Sequence, residues 1–202
     1  LEKAGAWPAD LLVMGTHGRR GFERLVLGSV TEKVLRKASC PVLTVSRAPK
    51  GGCLEGEPVF RKILCPLDFS PSSVKALEFG LSLLHESDAH LVLLHVVESL
   101  FDEAPKDEPA GGAEIRRHLE KDAEEKLREA VPESAREKCQ PKEVVRAGRP
   151  YQRIVELAEE ESVDLIVMGV HGRSAVDIML FGSTTHHVVR QAPCPVLTIR
   201  SS

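Results

Sequence analysis

The sequence lacks the cysteine pattern of a secreted, disulfide-bonded protein. Its five cysteines are scattered, their number is odd, and no two of them form a C-x-x-C pair. This usage favours a reduced setting over a disulfide framework. We therefore expect a cytoplasmic protein.

Long apolar runs and a strong charge imbalance are also missing. The sequence has no signal peptide and no stretch of about 18 apolar residues, the minimum for a membrane-spanning helix. Because the sequence begins at Leu1 and not at a methionine, the question of an upstream leader sequence stays open. The formal net charge is −3, so nothing demands a nucleic-acid partner. No Ser/His/Asp or Cys/His residues have the spacing of a known catalytic arrangement, so we predict no catalytic residue. We also predict no membrane association and no nucleic-acid partner.

What the sequence does contain is one motif that occurs twice. The second copy begins at Asp164 with an apolar run, and the first copy begins at Asp10, 154 positions earlier. Nine residues separate Gly172 from Gly182, and nine also separate Gly18 from Gly28. The same offset of 154 relates the strand before the glycines and the Cys-Pro strand at the end of each copy. A constant offset of this kind indicates internal duplication.

The repeated motif has the features of a phosphate site. The run Leu165–Met168 suits a strand buried on both faces of a parallel sheet. Glycines follow it, and glycine permits positive φ and close backbone approach to a ligand. Ser183 or Thr184 can cap the next helix, whose first N–H groups have no helical partner. A glycine-rich turn that faces a helix N-terminus favours an anion. A lone G-x-x-G more often serves only a tight turn, and that alternative stays open for the glycines alone.

Residues 60–202 alternate strands and helices. We predict five strands: one that ends at Asp68, one that ends at Gly169, and three over Leu91–Val97, Lys142–Arg146 and 195–200. Helices are predicted between them, including one over 113–130. This order predicts an α/β fold with an open parallel five-stranded sheet and helices on both faces. Ligands in such sheets bind at the carboxyl ends of the strands, where the strand order reverses.

Residues 1–47 form only part of a domain. They predict a strand over Leu11–Met14, a helix over 29–38 and a strand over Val42–Val45, which together are too few elements to bury a core. Residues 48–59, which contain Gly51 and Gly52, predict a linker. The part that precedes Asp164 has no counterpart before Asp10, so the leading strand would expose an unpaired edge. We therefore expect the missing half in this chain or in a companion chain.

The combination of strand, G-x-x-G, nine residues, G-[ST], helix and Cys-Pro strand resembles the nucleotide-binding signature of the universal stress protein family. The resemblance covers about residues 60–200, with its hallmarks at Ile63–Asp68, Leu91–Val97, Gly148-x-Pro150 and Asp164–Gly172. It implies a Rossmann-like sheet of the adenine nucleotide alpha hydrolase-like type, here in a tandem repeat. It also implies ATP or another adenine nucleotide as the ligand, with Mg²⁺ carried by the nucleotide, and a role in stress survival.

The resemblance also assigns roles to residues. Asp68 would bond the ribose or adenine, and the Val96 backbone would read the adenine edge. The apolar walls would be Pro66, Leu67 and Met168. The phosphates would be held by Gly169, Gly172, Arg173, Gly182, Ser183 and Thr184, with His171 either at a phosphate or packed in its loop. In the first copy they would be held by Gly15, Gly18, Arg19, Gly28, Ser29 and Thr31, provided that its other half is supplied.

Several alternatives remain. Asp68 can equally cap the next helix. His186 and His187 are adjacent in a predicted helix, where they point about 100° apart, so we predict no metal site. The chain is a nucleotide-binding regulatory module, a weak ATPase or adenine-nucleotide hydrolase, or a dimerising scaffold with a vestigial loop. In the family, domains pair through the last strand, so we expect Pro41–Ser46 and Pro195–Arg200 to join the two copies or two chains.

Overall fold

The computed structural model describes residues 9–16, 27–45, 60–84, 89–98, 112–170 and 182–200. Within these residues the strands are β1 (Leu12–Gly15), β2 (Val42–Val45), β3 (Lys62–Pro66), β4 (His90–Glu98), β5 (Lys142–Gly148), β6 (Leu165–Gly169) and β7 (Val196–Ile199). The helices are α1 (Ser29–Lys37), α2 (Pro71–Leu84), α3 (Gly112–Ala130), α4 (Glu133–Cys139), α5 (Pro150–Glu160) and α6 (Ser183–Gln191).

All of these strands belong to one sheet in the order β1-β2-β7-β6-β3-β4-β5. Neighbouring strands run parallel except at the junction of β2 with β7, which is antiparallel. The α/β class is confirmed, but the sheet has seven strands and is mixed, whereas we predicted five parallel strands. The difference arises because β2 pairs with β7 and so adds both strands of the first copy.

The central strands are apolar along their whole length because helices cover both faces. Every residue of β6 is buried, and β3 is buried from Ile63 onwards. Alternate residues enter two cores: Leu64 and Ile166 pack with α5 and α6, whereas Ile63 and Leu165 pack with α2. This continuous burial is typical of parallel sheets with helices on both sides.

The β2–β7 junction joins the two copies as expected from the sequence. Leu43 pairs with Leu197 at its centre. On either side the Thr44 hydroxyl donates to the Val196 carbonyl at 3.0 Å, and the Thr198 hydroxyl donates to the Val42 carbonyl at 3.2 Å. Both threonines are buried, so these bonds satisfy polar groups that would otherwise be costly inside the sheet.

Most predicted element boundaries lie within a few residues of those in the structure. Helix α2 begins at Pro71, and the Ser70 hydroxyl accepts the Ser73 amide at 3.3 Å, as a capping serine does. The sequence did not predict α4. It is a short charged helix with no buried residue, so it carries no apolar periodicity to detect.

A carboxylate fixes β6 against β3 at the amino end of the sheet. Asp164 Oδ2 accepts the backbone N–H groups of Arg61 and Lys62, each at 3.0 Å. The Lys62 ammonium in turn lies 3.1 Å from a Glu161 carboxylate oxygen. Because these bonds set the relative height of the two strands, they also set which residues meet at the opposite, carboxyl edge.

Candidate functional site

Two of the predicted site residues, Asp68 and Val96, lie at the carboxyl ends of the neighbouring strands β3 and β4. Pro66 pairs with Leu94 in β4, and Leu64 pairs with Ile166 in β6. Asp68 follows the end of β3 by two residues, Val96 follows Leu94 by two residues in β4, and Val170 follows the end of β6. The chain passes from β3 to β4 and β5 on one side, and then crosses to β6 and β7 on the other. The cleft between β3 and β6 is therefore the topological switch point, where ligands of such sheets bind.

Each copy of the motif closes its glycine segment with one backbone hydrogen bond. In the second copy the Gly182 N–H donates to the Val170 carbonyl at 3.3 Å. In the first copy the Gly28 N–H donates to the Thr16 carbonyl at 3.1 Å. These bonds enclose residues 171–181 in the second copy and 17–26 in the first. Both ranges lie outside the described residues. In both copies the chain therefore returns to the strand end from which it left.

The amino ends of α1 and α6 have glycine in the capping position. We predicted a serine or threonine cap, but Gly182 and Gly28 occupy these positions and neither helix has a side-chain cap bond. Ser183, the first residue of α6, is exposed. The first-turn N–H groups of α6 therefore meet no capping side chain among the described residues, and such groups attract anions.

A buried threonine anchors each of these helices to its strand. The Thr185 hydroxyl donates to the carbonyls of Gly169 at 3.1 Å and Val170 at 3.3 Å. In the first copy the Thr31 hydroxyl donates to the Gly15 carbonyl at 3.0 Å. The phosphate contact of Thr31 stays a prediction, and in this structure the hydroxyl proton of Thr31 is donated to the Gly15 carbonyl. Sequence reasoning missed Thr185, although the offset of 154 pairs it with Thr31.

Gly169 has a packing role that the sequence did not reveal. A Cβ atom at this position would lie 2.7 Å from Ser72 Oγ and 2.8 Å from the Ser72 backbone carbon. The glycine therefore lets the first turn of α2 cross the end of β6. Its predicted phosphate contact is not tested by this geometry.

Asp68 occupies the turn between β3 and α2. Its Oδ1 accepts the Ser70 N–H at 3.0 Å and the Ser70 hydroxyl at 2.6 Å. The side chain is partly exposed at the rim of the cleft. These bonds are of the capping kind that we weighed for this residue, and they also hold the carboxylate in place.

The apolar residues predicted as walls divide between the two faces of the sheet. Met168 is buried in the core on the α5 and α6 face, and Val96 packs partly buried against the same core. Leu67 is buried in the core on the opposite face, so its side chain does not join them. Pro66 is buried at the end of β3. The structure thus places the side chains of Val96 and Met168 on the same face of the sheet, the face that α5 and α6 cover.

Histidines lie beside the amino end of α6. His187 Nδ1 donates to the Ser183 carbonyl at 2.7 Å, and its ring stacks on Tyr151 of α5 with centroids 4.5 Å apart. The pKa of His186 is lowered mainly by partial burial and also by the neighbouring His187, so the neutral form of His186 is favoured. Across the described ranges, no group of three or more His, Cys, Asp or Glu side chains is placed to hold a metal ion.

The remaining predicted residues, Gly18, Arg19, His171, Gly172 and Arg173, lie outside the described residues. No described helix has the length and apolar character needed to cross a bilayer.

Comparison with known families identifies the fold and the motif together. The model of the universal stress protein family matches residues 1–46 and 60–200. The chain belongs to the universal stress protein family.

Three family members show how the chain aligns. Universal stress protein MJ0531 of Methanocaldococcus jannaschii is 32% identical over 147 residues, which are 72% of this chain and 85% of that protein. Universal stress protein Rv2005c of Mycobacterium tuberculosis is 26% identical over 197 residues, which are 96% of this chain but 63% of that protein. The crystal structure of a universal stress protein from Archaeoglobus fulgidus, 24% identical, has the same fold with a TM-score of 0.66 and covers 100% of this chain and 65% of its own.

Proposed function

We propose that this universal stress protein binds an adenine nucleotide, namely ATP, ADP or AMP, and acts as a regulatory module in stress survival. The observation that carries the proposal is the amino end of α6, which has no side-chain cap and is held at the carboxyl end of β6 beside the strand that leads to Asp68. Phosphate and ribose groups thus have complementary partners at one cleft. The four described cysteines are free, which supports a reducing, cytoplasmic setting.

The phosphate end of the ligand would meet α6. The helix runs from Ser183 to Gln191, and its dipole adds partial positive charge at the end that faces the cleft. The Ser183 hydroxyl is exposed there, and the Thr185 bonds hold the first turn rigidly against β6. Rigid N–H groups bind an anion without first losing conformational freedom.

The nucleoside end would meet Asp68 and Val96. A carboxylate accepts hydrogen bonds from ribose hydroxyls, and a strand backbone offers an amide and a carbonyl to an adenine edge. Val96 points its backbone groups towards β3, because Leu94, two residues earlier in β4, accepts the Leu67 amide there at 2.8 Å. Mg²⁺, if bound, would arrive with the phosphates.

Mass spectrometry of small molecules released on denaturing the purified protein tests the proposal. We expect an adenine nucleotide, and incubation with ATP then separates binding from hydrolysis. Gly182→Val should abolish binding because its side chain blocks backbone approach to the phosphates. Gly28→Val makes the same change in the first copy, where a Cβ meets Thr16 O only at an ordinary 3.4 Å; because Gly28 belongs to the predicted phosphate residues of that copy, this variant controls for stability and not for binding. Unchanged affinity in Gly182→Val would contradict the phosphate assignment.

We further propose that residues 1–47 are the C-terminal part of a first universal stress protein domain, followed by a linker at 48–59 and a second domain at 60–202, in a tandem arrangement. Val13 is 63% exposed, whereas its equivalent Val167 is 0% exposed. Leu11 is 45% exposed, whereas Leu165 is 1% exposed. In the second copy, β3 and α2 pack around β6 and cover these positions.

The first copy thus has an apolar face suited to a strand and helix like β3 and α2. Asp10 is exposed, whereas Asp164, its equivalent, binds the two amides that lead into β3. Native mass spectrometry of the purified protein tests this proposal. A mass near 22.1 kDa without a companion chain would count against it, and a larger mass or a co-purified domain would support it.

A further inference from the structure

His95 in β4 is a buried polar residue at the cleft to which the proposed nucleotide site gives no role. It is 9% exposed and lies next to Val96. Its Nδ1 is 2.6 Å from the Leu67 carbonyl, which can only accept, so the ring nitrogen donates the hydrogen bond. The ring also stacks on Phe69, with centroids 4.7 Å apart and planes inclined by 29°. His95 therefore contacts the residue before Asp68 and the residue after it.

The bond to Leu67 replaces the next rung of the sheet. In a regular parallel ladder, the Leu67 amide would donate to Leu94 and the Leu67 carbonyl would accept from the Val96 amide. The first bond is present at 2.8 Å. The second is absent among the described residues, and the imidazole of His95 takes its place. The β3–β4 ladder therefore ends here, and the Val96 amide faces the opening between the strands.

The turn that follows is strained and needs support. Phe69 has φ 63°, a left-handed conformation that is unfavourable for a bulky side chain. Such conformations cost about 1–3 kcal/mol and persist where neighbouring groups hold them, often at functional sites. Here the stacking on His95 holds the ring of Phe69, and the two bonds from Ser70 hold the carboxylate of Asp68.

We propose that His95 is a positioning residue of the nucleotide site. Its imidazole ends the β3–β4 ladder, leaves the Val96 amide available to the adenine edge and fixes the turn that presents Asp68 to the ribose. This inference rests on the proposed function for the ligand, but its structural part stands without one.

Two substitutions separate the donor from the ring. His95→Asn keeps an N–H donor near the Nδ1 position, and His95→Phe keeps a stacking ring but loses the donor. We expect His95→Phe to bind ATP about tenfold more weakly, the effect of one lost hydrogen bond, and His95→Asn to stay within about threefold of wild type. His90→Gln, at the exposed start of the same strand, is the matched control and should bind as wild type does. Wild-type affinity in His95→Phe would overturn the proposal.

Amide hydrogen exchange measured by NMR gives a readout that needs no ligand. In the wild type, the Val96 amide should exchange at least tenfold faster than the Leu94 amide, because only Leu94 is in the ladder. In His95→Phe the Leu67 carbonyl becomes available, so Val96 should become protected. Equal protection of the two amides in the wild type would overturn the proposal even if His95→Phe fails to fold. A wild type that binds no adenine nucleotide but shows this exchange pattern would refute the proposed function and support the structural role of His95.

Discussion

Gly169→Ala provides a sharp test of how the strand end is built. The added Cβ would lie 2.7 Å from Ser72 Oγ, 2.9 Å from Ser72 Cβ and 2.8 Å from the Ser72 backbone carbon. Real Cβ atoms essentially never come within 3.0 Å of such neighbours. A hydroxyl alone could rotate away, but the backbone contact requires the first turn of α2 to move.

The expected cost follows from overpacking. Adding one methyl group to a tightly packed site typically destabilises a protein by about 1–3 kcal/mol, which lowers Tm by roughly 2–12 °C for a chain of this size. Differential scanning calorimetry of the purified variant measures the shift. The same shift of α2 would disturb the adjacent Asp68 turn, so ATP affinity should also fall.

The first copy supplies the control. Gly15 is equivalent to Gly169 but is exposed, so Gly15→Ala in the 202-residue chain should change stability by no more than about 0.5 kcal/mol. A Tm for Gly169→Ala within about one degree of wild type would refute the packing argument. Equal, large losses in both variants would show instead that the glycines matter for a reason common to both strand ends.

Three further predictions address the core. Gly80→Ala should destabilise the protein because its Cβ would lie 2.8 Å from Cys65 Sγ, and Cys65→Ala should reverse most of that loss in a double-mutant cycle of chemical denaturation. Thr185→Val should cost about 1–3 kcal/mol, since it removes the hydroxyl that donates to the Gly169 carbonyl, whereas Thr184→Val, at a less buried residue, should cost less; urea titration distinguishes them. Burial raises the pKa of Cys65 and Cys194 to about 12, so both thiols should resist Ellman's reagent at pH 8 until the protein unfolds. In the folded protein the pKa of each thiol lies above the ordinary 9.0, so folding favours the protonated thiol. The contribution of these thiols to the free energy of unfolding is therefore complete below pH 9 and falls as the pH rises from 9 towards 12.

The strands and helices of the repeated motif were predictable because their sequence signals are local. The apolar run of β6, its bounding glycine and the spacing of α6 each fix one element without reference to the rest of the chain. The helix ends were less predictable. Serine and glycine stand side by side at 182–183, and only the backbone shows that the glycine occupies the capping position.

The contacts across the sheet were not predictable from local signals. The roles of Gly169 and His95 each depend on a partner from another element, Ser72 in α2 and Leu67 after β3. The number of strands also depends on a contact distant in sequence, since β2 and β7 pair 154 residues apart. Periodicity records which face of an element is buried, but it does not record what covers that face.

The two copies show this limit directly. Val13 and Val167 lie in nearly identical strands, yet one is 63% exposed and the other 0% exposed. The strand sequence is thus suited to burial in both copies, and the neighbours decide whether burial occurs. An exposed valine in such a strand is what a strand without its neighbour would show, and this exposure supports our proposal that the first copy is part of a larger domain.

The antiparallel junction also determines how the two copies relate functionally. β1 runs parallel to β2, and β6 runs parallel to β7, but β2 runs antiparallel to β7. The carboxyl ends of β1 and β6, which lead into the two glycine segments, therefore point in opposite directions along the strands. The reciprocal bonds of Thr44 and Thr198 mark the approximate twofold axis between them. If the proposed nucleotide binds at one of these strand ends, it would therefore have no direct contact with a ligand at the other. The copies are joined by the β2–β7 pair, whose buried threonines leave it little freedom to change register, and also by the Arg200 guanidinium, which donates to the Arg36 carbonyl of α1 at 2.8 Å.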